Sequence, residues 1–448
     1  MHSPAINVTS FIDARKVSPF QILIVVLCFL IVTIDGFDTA AIGFIAPAIR
    51  AEWNLSAAQL APVFGAGLAG LMVGAFLFGP LADRIGRRRV LLLCVLLFGV
   101  ASLVSGSAGS IGWLVVLRFL TGLGLGGAMP NAVTLTSEYC PAARRCCLVT
   151  TMFCGFTVGS ALGGLVSAHM VGDYGWRSVL ILGGVLPLLM LPVLWRLLPE
   201  SARFLVLQGK DLEAVRRTLM RIAPDQDLRK ASFVVSEKKP GGFAISHLFK
   251  PDLMRGTLLL WSAFFMSLLV IYLLSSWLPT LIKSTGVSLK TASIVTAMFQ
   301  VGGTLGALMF GWLMDRINPQ YVLAVTYTAA GVFIALIGRV TAEPWMVALV
   351  VLAAGFCISG SQTGANALVA SFYPTDCRAT GVSWANGIGR IGSIVGSMAG
   401  GLMLSFDWDL PIVFAVVGIP ALVAGSCLFA LGRYRSGRLQ TSVLAASH

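Results

Sequence analysis

This sequence has little charge: only 11% of its 448 residues are Asp, Glu, Lys or Arg, against about 25% in an average soluble domain. With 57% of the residues hydrophobic, a globule solvated by water on all sides is excluded. Histidine is scarce as well. The four histidines, His2, His169, His247 and His448, are too scattered to hold a metal. The nine cysteines form no CxxC pair and fall in apolar runs or, as Cys140, Cys146, Cys147 and Cys377 do, in the loops. Free thiols are therefore expected, with no disulfide and no metal centre. Acidic residues are outnumbered 19 to 32, for a net charge of +13. That excess recurs between apolar runs and forms no single stripe, so a nucleic-acid partner is not expected. No nucleophile–base constellation marks an enzyme. Gly122-x-Gly-x-Gly lies inside an apolar run and follows no strand, which excludes a dinucleotide loop and leaves no cofactor site.

What the sequence has instead is long apolar runs, about a dozen of them, each near the ~20 residues that cross a bilayer. They predict an all-α membrane protein with twelve transmembrane helices, solvated by lipid. The first run, about Phe20 to Ile49, is too long for a signal-peptide core and contains Asp35 and Asp38, so a retained span is expected and no cleaved segment. Arg15/Lys16, Arg84 to Arg89, Arg144/Arg145, the stretch Arg203 to Arg255 and the tail Arg433, Arg435 and Arg438 all fall on one side of a twelve-span count. Positive charge accumulates on the cytoplasmic side, which places both termini there.

The runs divide into two sets of six around a polar segment. The expected domains are an N-terminal bundle over 1–198, a linker over 199–255 and a C-terminal bundle over 256–448. Within the linker, Asp211 to Ile222 predicts an amphipathic helix with Leu212, Val215, Leu219 and Ile222 on one stripe. The halves echo each other: Gly79-Pro-Leu-Ala-Asp83-Arg84-Ile returns as Gly311-Trp-Leu-Met-Asp315-Arg316-Ile, 232 residues later. Two pseudo-symmetric six-helix bundles follow, with a substrate site expected near the midplane between them.

The stretch Gly79-Pro-Leu-Ala-Asp83-Arg84-Ile-Gly86-Arg87-Arg88-Arg89 resembles the loop 2–3 signature of the major facilitator superfamily, and the resemblance covers essentially the whole chain. Glu138-x6-Arg145 and Pro199-Glu200-Ser201-Ala-Arg203 are similar to signatures of its sugar-porter-like branches. Asp35-Gly-Phe-Asp38-Thr-Ala, Leu117-Arg118-Phe-Leu-Thr-Gly-Leu-Gly-Leu-Gly and the run Arg378 to Arg390 resemble the aromatic acid:proton symporters, especially carriers of 4-hydroxybenzoate and protocatechuate. The resemblance implies a cofactor-free, monomeric carrier in a bacterial inner membrane. It would import a small aromatic carboxylate with protons by alternating access. It also implies a gating latch of Asp83, Arg84, Gly86, Arg87, Arg88, Glu138 and Arg145, echoed by Asp315 and Arg316. Read without the family, the same loop is a solvated basic segment that sets topology. Ser371 stands where the second half would repeat Glu138. A proton-driven exporter, or a membrane sensor that moves nothing, are the other readings, and the exporter leaves Arg390 without a role.

A carboxylate within the hydrocarbon costs at least ~2.5–3.5 kcal/mol, so two in one span need a function or a partner. Asp35 and Asp38 lie about 18 and 14 Å from the outer end of the first span, on one face. They are expected to bind protons, or else to hydrogen-bond the second or fourth span. Arg118, about 9 Å into the fourth span, lies at a depth where it can meet Asp38, either as part of the site or as a plain counter-ion. Arg390 lies about 18 Å into the eleventh span, which contains no acidic residue. A substrate carboxylate, gripped by the planar guanidinium, would neutralise it; the alternative is a tie to backbone carbonyls. Asn386 lies one turn away. Phe37, Tyr272, Trp277, Phe299 and Trp384 are candidate aromatic walls, with Gln300, Gln362 and Asn366 as polar contacts. About half of these are expected to prove packing or interfacial residues.

Overall fold

A computed structural model of the chain describes residues 5–209, 211–226, 228, 231–235, 248–314, 316–340, 343–373, 378–406 and 408–446. Backbone polar groups cannot find water in hydrocarbon, so an apolar run has to satisfy them within itself, as a helix. Twelve helices among the described residues are long and apolar enough to cross a membrane. The first six are α2 (Pro19–Trp53), α3 (Ala57–Ile85), α4 (Arg87–Ser105), α5 (Ile111–Tyr139), α6 (Ala142–Tyr174) and α7 (Trp176–Leu197). The second six are α10 (Pro251–Lys283), α11 (Leu289–Met314), α12 (Pro319–Ile337), α13 (Pro344–Phe372), α14 (Arg378–Met403) and α15 (Leu410–Ala446). Phe76, Leu189 and Val325 point outward, more than two-thirds exposed, a large cost in water and none in lipid. The protein is an all-α, multi-pass membrane protein.

Small residues let the helices touch. A Cβ added to Gly36 of α2 would meet the Phe156 carbonyl of α6 at 2.0 Å, and one added to Gly70 of α3 would meet the Phe119 carbonyl of α5 at 2.1 Å. The pairings α2–α6, α3–α5 and α4–α7 recur in the second half as α10–α14, α11–α13 and α12–α15. The sequence echo thus has a structural counterpart helix by helix.

By contacts the chain divides into two compact units that do not follow the sequence halves. The first is Met1–Thr39, Ala69–Ser160 and Arg177–Lys239; the second is Ala40–Leu68, Ala161–Trp176 and Pro240–His448. In the first unit the linker is more structured than its polarity suggests. A helix α9 (Leu212–Ile222), capped by Asp211, buries Val215, Leu219 and Ile222, whereas Leu212, expected on the same stripe, is 44% exposed. The short helices α1 (Val8–Asp13) and α8 (Ala202–Leu207) join it, and β1 (Ala5–Asn7) pairs in parallel with β2 (Ser232–Val234).

Gly86 starts α4 with φ of 108° and ψ of 148°, a conformation open essentially to glycine alone. An added Cβ would also lie 2.3 Å from Glu200 Oε2. Gly86→Ala is expected to cost about 1–3 kcal/mol, lowering the thermal midpoint of detergent-purified protein by several degrees. An unchanged midpoint would show that the turn relaxes freely.

Candidate functional site

In the first unit the two aspartates of α2 are both buried, each 1% exposed. Arg118 of α5, 3% exposed, clasps Asp38: Nη2 donates to Oδ2 at 2.8 Å, Nη1 to Oδ1 at 3.4 Å and Nη2 to the Asp38 carbonyl at 3.3 Å. Ser102 of α4 donates to Oδ1 at 2.6 Å. Asp35, one turn earlier, accepts from Thr39 Oγ1 at 3.1 Å. Arg118 Nε is buried without an acceptor among the described residues, a donor left over when the pair is closed. Phe37 packs beside Gly183 of α7 and is 5% exposed. Ser102 was missed, because a lone serine in an apolar run carries no periodic signal.

In the second unit Arg390 of α14 is half-buried, and its Nη1 donates to the Tyr272 hydroxyl of α10 at 2.9 Å. Its described partner is a neutral phenol, not a carboxylate or the backbone carbonyl considered from sequence. Tyr272, expected as a wall, positions the guanidinium. Asn386 is exposed and spends Nδ2 on the Val382 carbonyl of its own helix at 3.0 Å. Trp384, 41% exposed, stacks on Trp261 at 5.7 Å. Gln300 reaches the Ser275 hydroxyl at 3.4 Å. Gln362 accepts from the Tyr327 hydroxyl at 3.3 Å, which in turn accepts from Ser267 at 3.0 Å. Asn366 is exposed.

Two of the expected aromatic walls are packing residues. Phe299 is 1% exposed. Trp277 is fully buried: Nε1 donates to the Ser397 carbonyl at 2.7 Å, and the ring meets Phe64 edge-on at 5.1 Å. Around it an added Cβ on Gly401 would lie 2.7 Å from the Ala61 side chain, and one on Gly43 2.3 Å from the Ser275 carbonyl. Trp277 thus packs the C-terminal part of α10 against α3 and α14 within the second unit. Trp277→Ala removes a core ring worth ~3–5 kcal/mol, enough to change which conformation dominates. A cysteine placed at buried Ala61 is expected to react with a water-soluble maleimide at least several-fold faster in this variant; an unchanged rate would show that the Trp277 ring does not shield this region.

At the arginine-rich end of the first unit, Arg87 bridges Asp83 at 2.8 Å and Glu138 at 3.7 Å. Ser201 donates to Glu138. Glu200 Oε1 accepts the backbone N–H of Arg88 at 3.1 Å and of Ser201 at 2.9 Å, so a residue 112 positions away neutralises the N-terminus of α4. The Tyr139 hydroxyl donates to the Glu200 carbonyl at 2.5 Å. Arg88 donates to the Trp195 carbonyl. Arg84 is exposed. Arg145, expected with Glu138, turns instead to Asp13 at 2.7 Å, because α1 brings a closer carboxylate. Arg316 stacks over Trp312 at 4.1 Å; Asp315 lies outside the described residues. Among the described residues no group of three His, Cys, Asp or Glu is placed to hold a metal.

A family profile described as Major Facilitator Superfamily matches residues 28–291 and 260–444. The chain is 47% identical over 442 residues to the 4-hydroxybenzoate transporter PcaK of Pseudomonas aeruginosa, covering 96% of this chain and 98% of that protein. It is 46% identical over 431 residues to a gallate transporter of Pseudomonas putida, covering 96% of each. In fold it is similar to the inward-open xylose transporter XylE of Escherichia coli, with TM-score 0.73 and 18% identity over 91% of this chain and 96% of that one. These relatives are transporters, and the chain is not an enzyme.

Proposed function

The chain belongs to the Major Facilitator Superfamily, and on that premise we propose that it is a proton-coupled secondary transporter that imports a small aromatic carboxylate by alternating access. The substrate class is that of 4-hydroxybenzoate, protocatechuate and gallate. Support comes from the two relatives above, whose names specify 4-hydroxybenzoate and gallate. The observation that carries the reading is Arg390, a mid-span guanidinium with one nitrogen on Tyr272. A benzoate-like monoanion brought to mid-membrane unpaired would be prohibitively unstable; a positioned guanidinium offsets that.

In this reading Asp35 and Asp38 carry the proton. Protonating Asp38 removes one charge of the Asp38–Arg118 pair and loosens the grip of Arg118, whose unused Nε is then available to an incoming acceptor. Asn386, Phe37, Trp384, Gln300 and Tyr272 shape the substrate's surroundings. Asp83, Arg84, Gly86, Arg87, Arg88, Glu138, Arg145, Asp315 and Arg316 form the gating elements at the arginine-rich end. That end faces the cytoplasm of a bacterial inner membrane, with both termini. The moving parts are the bundles 1–198 and 256–448, joined by 199–255, and a single chain suffices.

Uptake of labelled benzoates into vesicles, with and without an imposed pH gradient, tests this reading. Hydroxybenzoates are expected to be taken up and to compete with one another, while their methyl esters do not compete. Equal competition by acid and ester would remove the carboxylate from the account.

A further inference from the structure

The second unit contains an open cleft of about 520 Å³ between the C-terminal ends of α2, α6 and α10 and the N-terminal ends of α7 and α11, within the ~300–1,000 Å³ of small-molecule sites. Its wall is built from Glu52 of α2, Ser167 of α6, Trp176 at the start of α7, Lys283 at the end of α10 and Leu289 and Lys290 at the start of α11. Nothing in the proposed transport path uses these residues. Lys283 is half-buried and Lys290 exposed. Glu52 is engaged by Trp176, whose Nε1 donates to its Oε2 at 2.7 Å. The three charges leave an excess of one positive. A second observation points to a ligand oxygen: Ser167 is fully buried, and its hydroxyl has no hydrogen-bond partner among the described residues. A buried hydroxyl left unpaired is unfavourable, and a bound carboxylate oxygen would accept from it.

From this cleft we infer an outer anion-capture site, in which Lys283, Lys290 and the Ser167 hydroxyl take a small organic carboxylate before it is transported. The inference rests on the import of an aromatic acid argued above. Two lysines at the mouth of a cleft with low-dielectric walls raise the local concentration of an anion and its rate of entry, an effect that salt screens. The same cationic chemistry would also hold the phosphate of an anionic lipid, so the test separates the two.

The full-length protein is placed in nanodiscs of phosphatidylcholine, and 4-hydroxybenzoate binding is measured in an Arg390→Ala background. Weak binding of one molecule per chain is expected to remain, and to be lost on adding Lys283→Gln with Lys290→Gln, or Ser167→Ala. With Arg390 intact, the lysine pair variant is expected to raise the KM of uptake about tenfold, the low end of steering by a charged cleft. The loss should fall on KM and not on kcat, and the dependence of uptake on ionic strength should flatten. No residual binding in Arg390→Ala, or an unchanged KM and salt dependence in the lysine variant, would overturn the site. Residual binding that disappears when phosphatidylglycerol replaces part of the lipid would assign the cleft to lipid phosphate and overturn it as well. Wild-type affinity in Arg390→Ala would instead break the reading of Arg390, leaving the outer site to be judged on the lysine and serine variants.

Discussion

Arg390→Ala is expected to abolish high-affinity binding of 4-hydroxybenzoate, leaving only the weak outer site, and Arg390→Lys to weaken the high-affinity binding by at least tenfold, the factor that corresponds to ~1.4 kcal/mol. The side chain sits on α14 with Tyr272 holding Nη1 at 2.9 Å, so the rest of its planar fork is presented in one orientation. Lysine keeps the charge but loses the bidentate geometry and the fixed plane. Tyr272→Phe should act in the same direction with a smaller loss, because it frees the guanidinium without removing it. Calorimetry on purified protein checks all three, with the methyl ester of the ligand as a control. The ester should bind wild type poorly and lose little in Arg390→Ala. If acid and ester lost affinity equally, Arg390 would be a structural arginine and the anion-binding role would pass to Arg118.

Asp38→Asn is expected to eliminate accumulation driven by a pH gradient while sparing exchange of labelled for unlabelled substrate at equilibrium. The pair it breaks is almost wholly enclosed, with Asp38 1% and Arg118 3% exposed. Removing one partner of such a pair costs about 3–5 kcal/mol, because the other charge stays buried. Thermal stability should therefore fall in Asp38→Asn and recover in part when Arg118→Gln is added. The coupling between two contacting residues makes the double change cheaper than the sum of the single ones. Accumulation at the wild-type rate in Asp38→Asn would pass the proton role to Asp35. Stability losses that simply add would mean that the pair contributes nothing as a pair.

The parts of this molecule that span lipid were legible because lipid imposes a length and a composition on each helix, and a nearly constant offset, 232 residues from Gly79 to Gly311 and 234 from Tyr139 to Tyr373, exposed the repeat. Asp38 and Arg118 could be matched because a rise of 1.5 Å per residue puts them within about 5 Å in depth and the family resemblance makes their two spans neighbours. Trp277 was misplaced for a physical reason: an aromatic ring lining a cavity and one filling a core are the same residue in the same period. At the arginine-rich end the family resemblance implies a latch that includes Asp83, Arg87, Glu138 and Arg145. The structure pairs Arg87 with Asp83 and Glu138 and brings in Glu200 and Asp13, which the expected latch does not include. The added contacts, Glu200 to Arg88 and Asp13 to Arg145, link residues 112 and 132 apart. The strands Ala5–Asn7 and Ser232–Val234 are three residues each, too short for any alternation to show. Gly86 was expected in the gate through the family resemblance; its positive φ gives the residue a structural reason that the sequence alone does not carry.

The central claim is that proton entry drives aromatic-acid import, and proteoliposomes loaded at a controlled internal pH test it most directly. With the interior more alkaline than the medium, labelled 4-hydroxybenzoate should rise above its external concentration, and a protonophore should return it to equilibrium. An interior more acidic than the medium should produce no accumulation. Protonated acid that crosses the bilayer by itself is subtracted with protein-free liposomes. Accumulation that ignores the direction of the gradient, or net outward pumping against it, would contradict a proton-coupled importer.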